Sequence, residues 1–447
     1  MERLEELREK FPEVPRSIVI KTDVLREGVR FTPDILEIGK WALPEYLPWD
    51  PDVHKQYKNL TDDLVGDCWA WLPMKFNFAN GVSTKIVYDF IRRTDSPYEI
   101  RRQQPETFFL YRDGEPIEEI FFDKRPEWLS RRSPDGRPFA AVFCLASPDS
   151  LLGFPIKFCA YYKPEDICRF CCLNPAGVNL PQKLKKETLI DAPRYAEAYE
   201  AALEEFDVQH ICFTGGALRD RSKEAGRYVE VVSEVDRIRR KTGKNTIVQA
   251  MSVALGRDEQ QRIRDAGADE ISFNMEVWEE SLWSEIVPGK ARDVGRGPWM
   301  ERLLVAREVF GARRACTQFV VGVEMVSPRG FRSFHEGTRS VLEGIEWCCQ
   351  NGIRPHTTTW FNTPGSLYEE NQPPPTEYFL TIAFERHKLM EKYGMHPAAD
   401  DATSSYGRCH KSGYLSPDAD FHWLEVVERR ASPASSSPRV LSSVPHS

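Results

Sequence analysis

Four of the eleven cysteines fall within one segment of fourteen residues, at Cys159, Cys168, Cys171 and Cys172. Thiolates are soft ligands that suit iron–sulfur clusters and zinc. Three thiolates on one loop could surround one pole of a cubane cluster and leave its fourth iron open to another ligand. Two other interpretations compete with this one. C-x2-C is a common zinc half-site, and free cysteines are often buried structural residues.

The elements that would position this segment alternate regularly. Beyond Gly153, short apolar segments with the length of buried strands are separated by amphipathic helix patterns, which is typical of a parallel sheet built from βαβ units. The six predicted strands begin at Pro155, Val208, Asn245, Asp269, Cys316 and Arg354. The pattern predicts an α/β fold with a partial (β/α)6 TIM-type barrel, in which the cysteines leave the first strand.

Glycines and turn residues mark the ends of several predicted helices and strands. Gly243 and Gly352 follow helix patterns at the point where a left-handed C-terminal residue is expected. Asp113-Gly114 separates two β-rich segments, which is a strong hairpin signal. We therefore expect an N-terminal accessory region with β structure ahead of the barrel.

These patterns predict four parts of the chain. They are an accessory α+β region at 1–150, the barrel at 151–395, a barrel-capping segment at 396–430, and a Ser/Pro-rich disordered tail at 431–447. Cys409 and His410 in the capping segment could contact substrate, although an ordinary exposed loop has the same composition. Cys348 and Cys349 lie on a predicted helix and are left out of the site.

Composition narrows the class of protein. Hydrophobic residues make up 41% and charged residues 29% of the 447 residues, as in ordinary globular proteins. No stretch approaches the ~18 apolar residues of a membrane span, and the charged first ten residues do not form a secretory signal. We therefore expect a cytoplasmic protein. The net charge of −8, without a basic stripe, disfavours nucleic-acid binding.

The cysteine segment resembles the motif of the radical S-adenosylmethionine (SAM) superfamily, which is C-x3-C-x2-C with an aromatic residue before the last cysteine. Phe170 occupies the aromatic position, while the first gap is expanded to eight residues. The resemblance implies that Cys159, Cys168 and Cys171 bind a 4Fe–4S cluster. Cys172 could replace Cys159 as a ligand.

Further similarities follow in the family's order, at the ends of the predicted strands. Thr214, Gly215 and Gly216 resemble the Gly-Gly-Glu motif that binds the SAM amino group, although Ala217 replaces the acid; a tight turn would use the same glycines. Ser252, near the end of the third strand, is a further implied SAM contact.

The later strand ends resemble biotin synthase-like and lipoyl synthase-like enzymes. Asn274, Glu276 and Arg292 lie in segments similar to those that contact SAM, and a salt bridge on the rim is the alternative for the two charged residues. Gly322, Glu324 and Pro364 complete the implied cofactor contacts; Gly322 could instead serve barrel packing, and Pro364 an ordinary turn.

The resemblance implies an enzyme that cleaves SAM at a reduced 4Fe–4S cluster. The resulting 5′-deoxyadenosyl radical would abstract hydrogen from a small-molecule substrate, with a flavodoxin, ferredoxin or other reductase as electron donor. No side chain is assigned to catalysis itself. Two alternatives remain, namely a 3-amino-3-carboxypropyl radical for group transfer, and a non-catalytic zinc-binding or scaffold barrel.

Overall fold

The computed structural model describes residues 4–30, 32–43, 72–88, 96–136, 138–147, 149–161, 163–171, 190–326, 328–362, 366–396 and 415–431. Several predictions fall on residues outside these ranges. They concern Cys172, Pro364, Cys409, His410 and the proposed tail beyond Ala431.

The described ranges contain helices α1 to α12 and strands β1 to β12. The helices are α1 Leu4–Lys10, α2 Arg16–Glu27, α3 Pro33–Gly39, α4 Ala192–Leu203, α5 Arg221–Thr242, α6 Arg257–Asp265, α7 Glu280–Ile286, α8 Pro288–Asp293, α9 Arg296–Phe310, α10 Phe334–Gln350, α11 Thr376–Lys392 and α12 Asp418–Ala431. The strands are β1 Lys75–Asn77, β2 Ser83–Lys85, β3 Tyr98–Gln104, β4 Thr107–Arg112, β5 Glu115–Ile120, β6 Phe143–Ser147, β7 Ser150–Ile156, β8 His210–Gly215, β9 Ile247–Ser252, β10 Glu270–Phe273, β11 Ala315–Val321 and β12 Arg354–Thr359.

A seven-stranded sheet carries the candidate site. Its strand order is β12-β11-β10-β9-β8-β7-β6, so that neighbours in the chain are neighbours in the sheet. Strands β7 to β12 pair in parallel, and β6 pairs antiparallel with β7. The sheet curls into a half-barrel, which confirms the expected partial (β/α)6 barrel.

The first parallel strand differs from its predicted position. The prediction began this strand at Pro155, but β7 spans Ser150–Ile156 and the cysteine segment follows it as a loop. The apolar run extends through both positions, so hydrophobicity alone does not show where pairing with β8 ends. The antiparallel strand β6 was not predicted at all.

The turn and helix-end predictions are confirmed. Asp113 and Gly114 take the positive φ angles of 52° and 89° between β4 and β5, as a tight hairpin turn requires. Gly243 and Gly352 have φ angles of 66° and 68° just beyond α5 and α10. The backbone preferences of glycine and aspartate therefore sufficed to predict the turn and the two helix ends.

The N-terminal region is joined to the half-barrel through a buried carboxyl group. Asp23 on α2 accepts hydrogen bonds from the hydroxyl of Tyr98 at 2.5 Å and from that of Thr376 at 2.7 Å. Since Tyr98 begins β3 and Thr376 begins α11, one side chain links three elements. Among the described helices, none combines the length and the apolar character needed to cross a lipid bilayer.

Candidate active site at the mouth of the half-barrel

The loop that carries Cys159, Cys168 and Cys171 crosses the mouth of the half-barrel. The Ala160 N–H donates to the Ala217 carbonyl beyond β8 at 2.8 Å, and the Arg169 N–H donates to the Ile286 carbonyl at the end of α7 at 2.9 Å. The Arg169 carbonyl accepts the Tyr368 N–H, beyond β12, at 3.1 Å. The backbone therefore fixes this loop at points that follow three different strands of the sheet.

All three cysteines are half-buried at this mouth. The Cys171 N–H donates to the Cys168 carbonyl at 3.0 Å, which closes a tight turn between the two ligand candidates. Burial raises the pKa of the Cys168 thiol to about 12, with the nearby charge of Lys290 acting in the opposite direction. Carboxyl ends of barrel strands are where catalytic residues gather in such folds.

Gly215 and Gly216 are required by close packing against the cysteine loop. The Gly216 N–H donates to the Ile156 carbonyl at 2.8 Å. A Cβ atom on Gly215 would overlap that same carbonyl oxygen, and one on Gly216 would overlap the Phe158 carbonyl and lie 2.7 Å from the Cys159 nitrogen. A side chain at either position would therefore displace the loop. A backbone contact with SAM at these residues stays a prediction.

Helix α8 covers the other side of the same loop. The Gly289 N–H donates to the Asp166 carbonyl at 2.9 Å, and a Cβ atom on Gly289 would lie 2.6 Å from that oxygen. The Asp166 carboxylate is held by the guanidinium of Arg292, whose Nε lies 3.1 Å away, and by Arg219 at 2.6 Å. These hydrogen bonds, led by that from Arg292, lower the pKa of Asp166.

Arg292 was predicted to contact SAM, and the structure places its guanidinium on Asp166 within the cysteine loop. Its position therefore gives it a role in holding the loop, whereas contact with SAM stays a prediction. Asp166 itself was missed. The available signal was its position between Cys159 and Cys168, in a loop that needs anchoring.

Glu276 forms a buried ion pair with Lys290, which sequence reasoning also missed. The Lys290 Nζ lies 2.7 Å from Glu276 Oε1 and 3.0 Å from the Asn274 carbonyl oxygen, and it sits over the ring of Trp299. Burial lowers the pKa of Lys290, but the charges of Glu276 and Cys168 outweigh this effect and the pKa is raised overall. Glu276 therefore does form a salt bridge, as the alternative interpretation predicted. Its partner is Lys290 instead of Arg292, and the pair is buried instead of lying on the rim.

Three further predicted residues gather around Met251, at the ends of β8, β9 and β10. The Thr214 hydroxyl lies 3.3 Å from the Met251 sulfur, and the Asn274 amide nitrogen lies 3.5 Å from it. Ser252 follows Met251 in the chain and donates to the Val253 carbonyl at 2.9 Å. These half-buried side chains line the mouth beside the cysteine loop.

Gly322 and Glu324 form a turn that packs against α11. The Glu324 carboxylate accepts the Gly322 N–H at 2.9 and 3.0 Å and the hydroxyl of Tyr378 at 2.5 Å. A Cβ atom on Gly322, whose φ is 109°, would lie 3.0 Å from the ring of Phe379. Burial raises the pKa of Glu324 to about 7. Both residues therefore have a packing role, and a SAM contact stays a prediction.

A buried polar cluster lies deeper in the sheet. Arg354 on β12 pairs with Glu270 on β10 at 2.7 Å, and its Nη2 also lies 3.2 Å from the Cys316 sulfur on β11. The Arg354 Nε lies 3.2 Å from the Nε2 of His356, which is half-buried. Side chains of strand residues two apart share a face, so His356 extends this polar face towards the mouth.

Sequence comparison identifies one curated relative. No protein-family model matches this chain. A protein described as a bacteriochlorophyllide c C-7(1)-hydroxylase from Chlorobaculum limnaeum is 25% identical over 163 residues, which cover 35% of this chain and 37% of that protein. The match therefore spans little more than a third of the relative's length.

Comparison with solved structures gives distant likenesses. A radical SAM methyltransferase from Sphaerobacter thermophilus has a TM-score of 0.38 and 15% identity, covering 88% of this chain and 92% of its own. Coproporphyrinogen III oxidase from Escherichia coli, described as a radical SAM enzyme, has a TM-score of 0.36 and 14% identity over 56% of this chain and 54% of its own. The chain is thus similar in sequence to a curated hydroxylase and, more distantly, in structure to radical SAM enzymes.

Proposed function

We propose that this chain is a radical SAM enzyme that binds a 4Fe–4S cluster through Cys159, Cys168 and Cys171. The observation that carries the proposal is the path of the cysteine loop. Backbone hydrogen bonds at Ala160 and Arg169 hold the loop across the mouth of a half-barrel, where a group bound to it would face the strand ends. The aromatic Phe170 before the last cysteine supports the same assignment.

The donor set and its surroundings suit such a cluster. Thiolates are the usual ligands of iron–sulfur clusters, and the hydrogen bonds and charges around a cluster tune its potential. The buried ammonium of Lys290 interacts with Cys159 and Cys168, so it would offset negative charge gathered there. Gly216 leaves no room for a side chain beneath Cys159, which keeps the loop seated on β8.

A bound, reduced cluster would supply one electron to SAM, and cleavage of SAM to methionine would supply a 5′-deoxyadenosyl radical for hydrogen abstraction. The chain's own residues would bind SAM and the substrate, orient them and enclose them. Thr214, Ser252 and Asn274 would present polar groups to SAM, and the Gly215-Gly216 backbone would contact its amino group. Such positioning and exclusion of water are the protein's usual share of cofactor chemistry.

We infer that the substrate is a small molecule held over the polar face of the sheet. His356 is half-buried on that face, and the buried Arg354 beside it is paired with Glu270. The curated relative is described as a hydroxylase at a carbon atom, and hydroxylation of carbon breaks a C–H bond, as hydrogen abstraction does. A ferredoxin, flavodoxin or other reductase would deliver the electron.

The test is anaerobic reconstitution with iron and sulfide, followed by reduction in the presence of SAM. We expect about four iron atoms per chain, the composition of such a cluster, with release of 5′-deoxyadenosine. Cys159→Ala, Cys168→Ala and Cys171→Ala should each lose both. Cys349→Ala on α10 is the matched control, because this cysteine is buried away from the loop against Met390.

Other products would redirect or overturn the assignment. Release of 5′-methylthioadenosine would indicate the 3-amino-3-carboxypropyl radical instead. Tight zinc binding that is lost in Cys168→Ala, without SAM cleavage, would identify a structural metal site at the cysteine loop. A normal cluster in Cys159→Ala, together with its loss in Cys172→Ala, would move the first ligand to Cys172.

A further inference from the structure

Three histidines meet where the chain's last two described helices pack together. His387 lies on α11, His396 follows that helix, and His422 lies on α12. The His387 and His396 ring centroids are 5.1 Å apart, and those of His396 and His422 are 4.8 Å apart with the rings nearly parallel. His387 and His422 are buried. None of these residues belongs to the candidate active site.

Two carboxylates complete the cluster. Glu391 lies four residues after His387 on α11, and Glu425 lies three residues after His422 on α12, so each pair shares a helix face. The His387 Nε2 lies 3.1 Å from Glu425 Oε1 and 3.9 Å from Glu391 Oε1. The His422 Nδ1 lies 3.8 Å from Glu425 Oε2. One ligand atom from each of His387, Glu391 and Glu425 lies within 4.8 Å of the others.

We propose that His387, Glu391 and Glu425 bind a divalent transition-metal ion, with Zn²⁺ as the best fit. Zinc binds imidazole nitrogen and carboxylate oxygen at about 2.0–2.2 Å in a tetrahedron, which places ligand atoms about 3.3–3.5 Å apart. The observed separations of 3.1 and 3.9 Å between the His387 Nε2 and the two carboxylate oxygens lie on either side of that spacing. Small side-chain rotations would therefore suffice.

The neighbouring carboxylates on α12 are paired with cationic side chains. Asp418 on α12 already pairs with Arg386 at 2.8 Å, and Asp420 pairs with Lys21 at 2.7 Å. Glu425 on the same helix faces the imidazoles of His387 and His422 instead. Mixed imidazole and carboxylate sets are typical of zinc and its first-row neighbours, whereas magnesium and calcium prefer oxygen alone.

The site would fasten α12 to α11. Its ligands come from both helices, so a bound ion would cross-link residue 387 to residue 425. Metal binding to the folded state alone stabilises that state. The site is independent of the proposed radical SAM chemistry, since it lies on other elements and uses no cysteine.

The experiment uses the full chain with its iron–sulfur cluster reconstituted, so that the thiols of Cys159, Cys168 and Cys171 do not compete for zinc. After treatment with a chelator, the protein is dialysed against Zn²⁺, and bound zinc is counted by mass spectrometry. We expect one zinc per chain, a higher melting temperature, and an X-ray absorption spectrum with nitrogen and oxygen neighbours at about 2.0–2.2 Å instead of sulfur at about 2.3 Å.

Matched variants assign the ligands. His387→Gln and Glu425→Gln should each lose the zinc and the shift in melting temperature. Two controls should keep both. They are Glu385→Gln, on the same helix as His387, and His335→Gln, at an exposed position of α10. Glu425 is 31% exposed in its side chain, so Glu425→Gln keeps the test valid if His387→Gln does not fold.

Three results would overturn the proposal. They are no zinc above the level of a buffer blank, zinc with sulfur neighbours only, and zinc that persists unchanged in both ligand variants. Because each readout concerns zinc and folding, failure here leaves SAM cleavage intact. A chain without SAM cleavage could equally retain this site.

Discussion

Lys290 and Glu276 form a buried ion pair, with Nζ 2.7 Å from Oε1, beside the loop that carries Cys168. The side chains are only 11% and 10% exposed. Glu276 reaches this position with a φ of 67°, which is unusual for a residue other than glycine. Its N–H and carbonyl nevertheless bond to β11, so the sheet fixes the strained residue.

Replacing Lys290 by methionine should destabilise the protein by about 3–5 kcal/mol, because Glu276 would remain as a buried carboxylate without its partner. The measurement is the free energy of unfolding in denaturant. Lys290→Met combined with Glu276→Gln should recover most of the loss. Lys241→Met, which breaks an exposed pair with Glu200, should change little. Wild-type stability in the single variant would contradict this account.

Gly216→Ala should prevent the cysteine loop from seating on β8, since the added Cβ would overlap the Phe158 carbonyl. We expect iron per chain after reconstitution to fall to less than half of the wild-type value. Gly297→Ala on α9 is the control, because a Cβ atom there has no neighbour within 4 Å and alanine favours a helix. Unchanged iron content in Gly216→Ala would show that the loop tolerates displacement.

If the pair of Arg292 and Asp166 holds the cysteine loop, Arg292→Ala and Asp166→Ala should each reduce SAM cleavage. Residues that orient metal ligands typically contribute about 10–100-fold to metal affinity or activity, and we expect a loss of that size in SAM cleavage for each variant. The double variant should be no worse than Asp166→Ala alone, which also removes the partner of Arg219. Glu165→Ala is the neighbouring control. A raised KM for SAM in Arg292→Ala only would support the predicted SAM contact instead.

Glu324 should make stability depend on pH. Burial raises its pKa to about 7 from an ordinary 4.5, so the folded state binds this proton more tightly than the unfolded state. Its contribution is fully present below pH 4.5 and is lost as the pH rises through about 7, by up to about 3 kcal/mol. Denaturation at about pH 5 and about pH 8 should therefore differ less for Glu324→Gln than for wild type.

Glu343→Gln, on an exposed face of α10, is the control for this titration. It should reproduce the wild-type dependence on pH. Equal pH dependence in wild type and Glu324→Gln would mean that Glu324 keeps its ordinary pKa in the folded protein.

Local sequence determined the repeating architecture. Strand and helix periodicity predicted the parallel strands from β8 to β12, and the Asp113-Gly114 turn and the glycines after α5 and α10 were predicted from their backbone preferences. These features depend on residues only a few positions apart in the chain, so they can be predicted from the sequence alone. The cysteines and the order of the strand ends are likewise local features, and the proposed chemistry rests on them.

Only the tertiary structure decided which partners these residues have. Glu276 could equally have met Arg292, but the turn of α8 directs Lys290 to it and leaves Arg292 for Asp166. His387 and Glu425 come together only because α12 returns to α11. Burial and pairing arise when distant segments pack, and a charged residue in a sequence does not specify which distant charge it will meet.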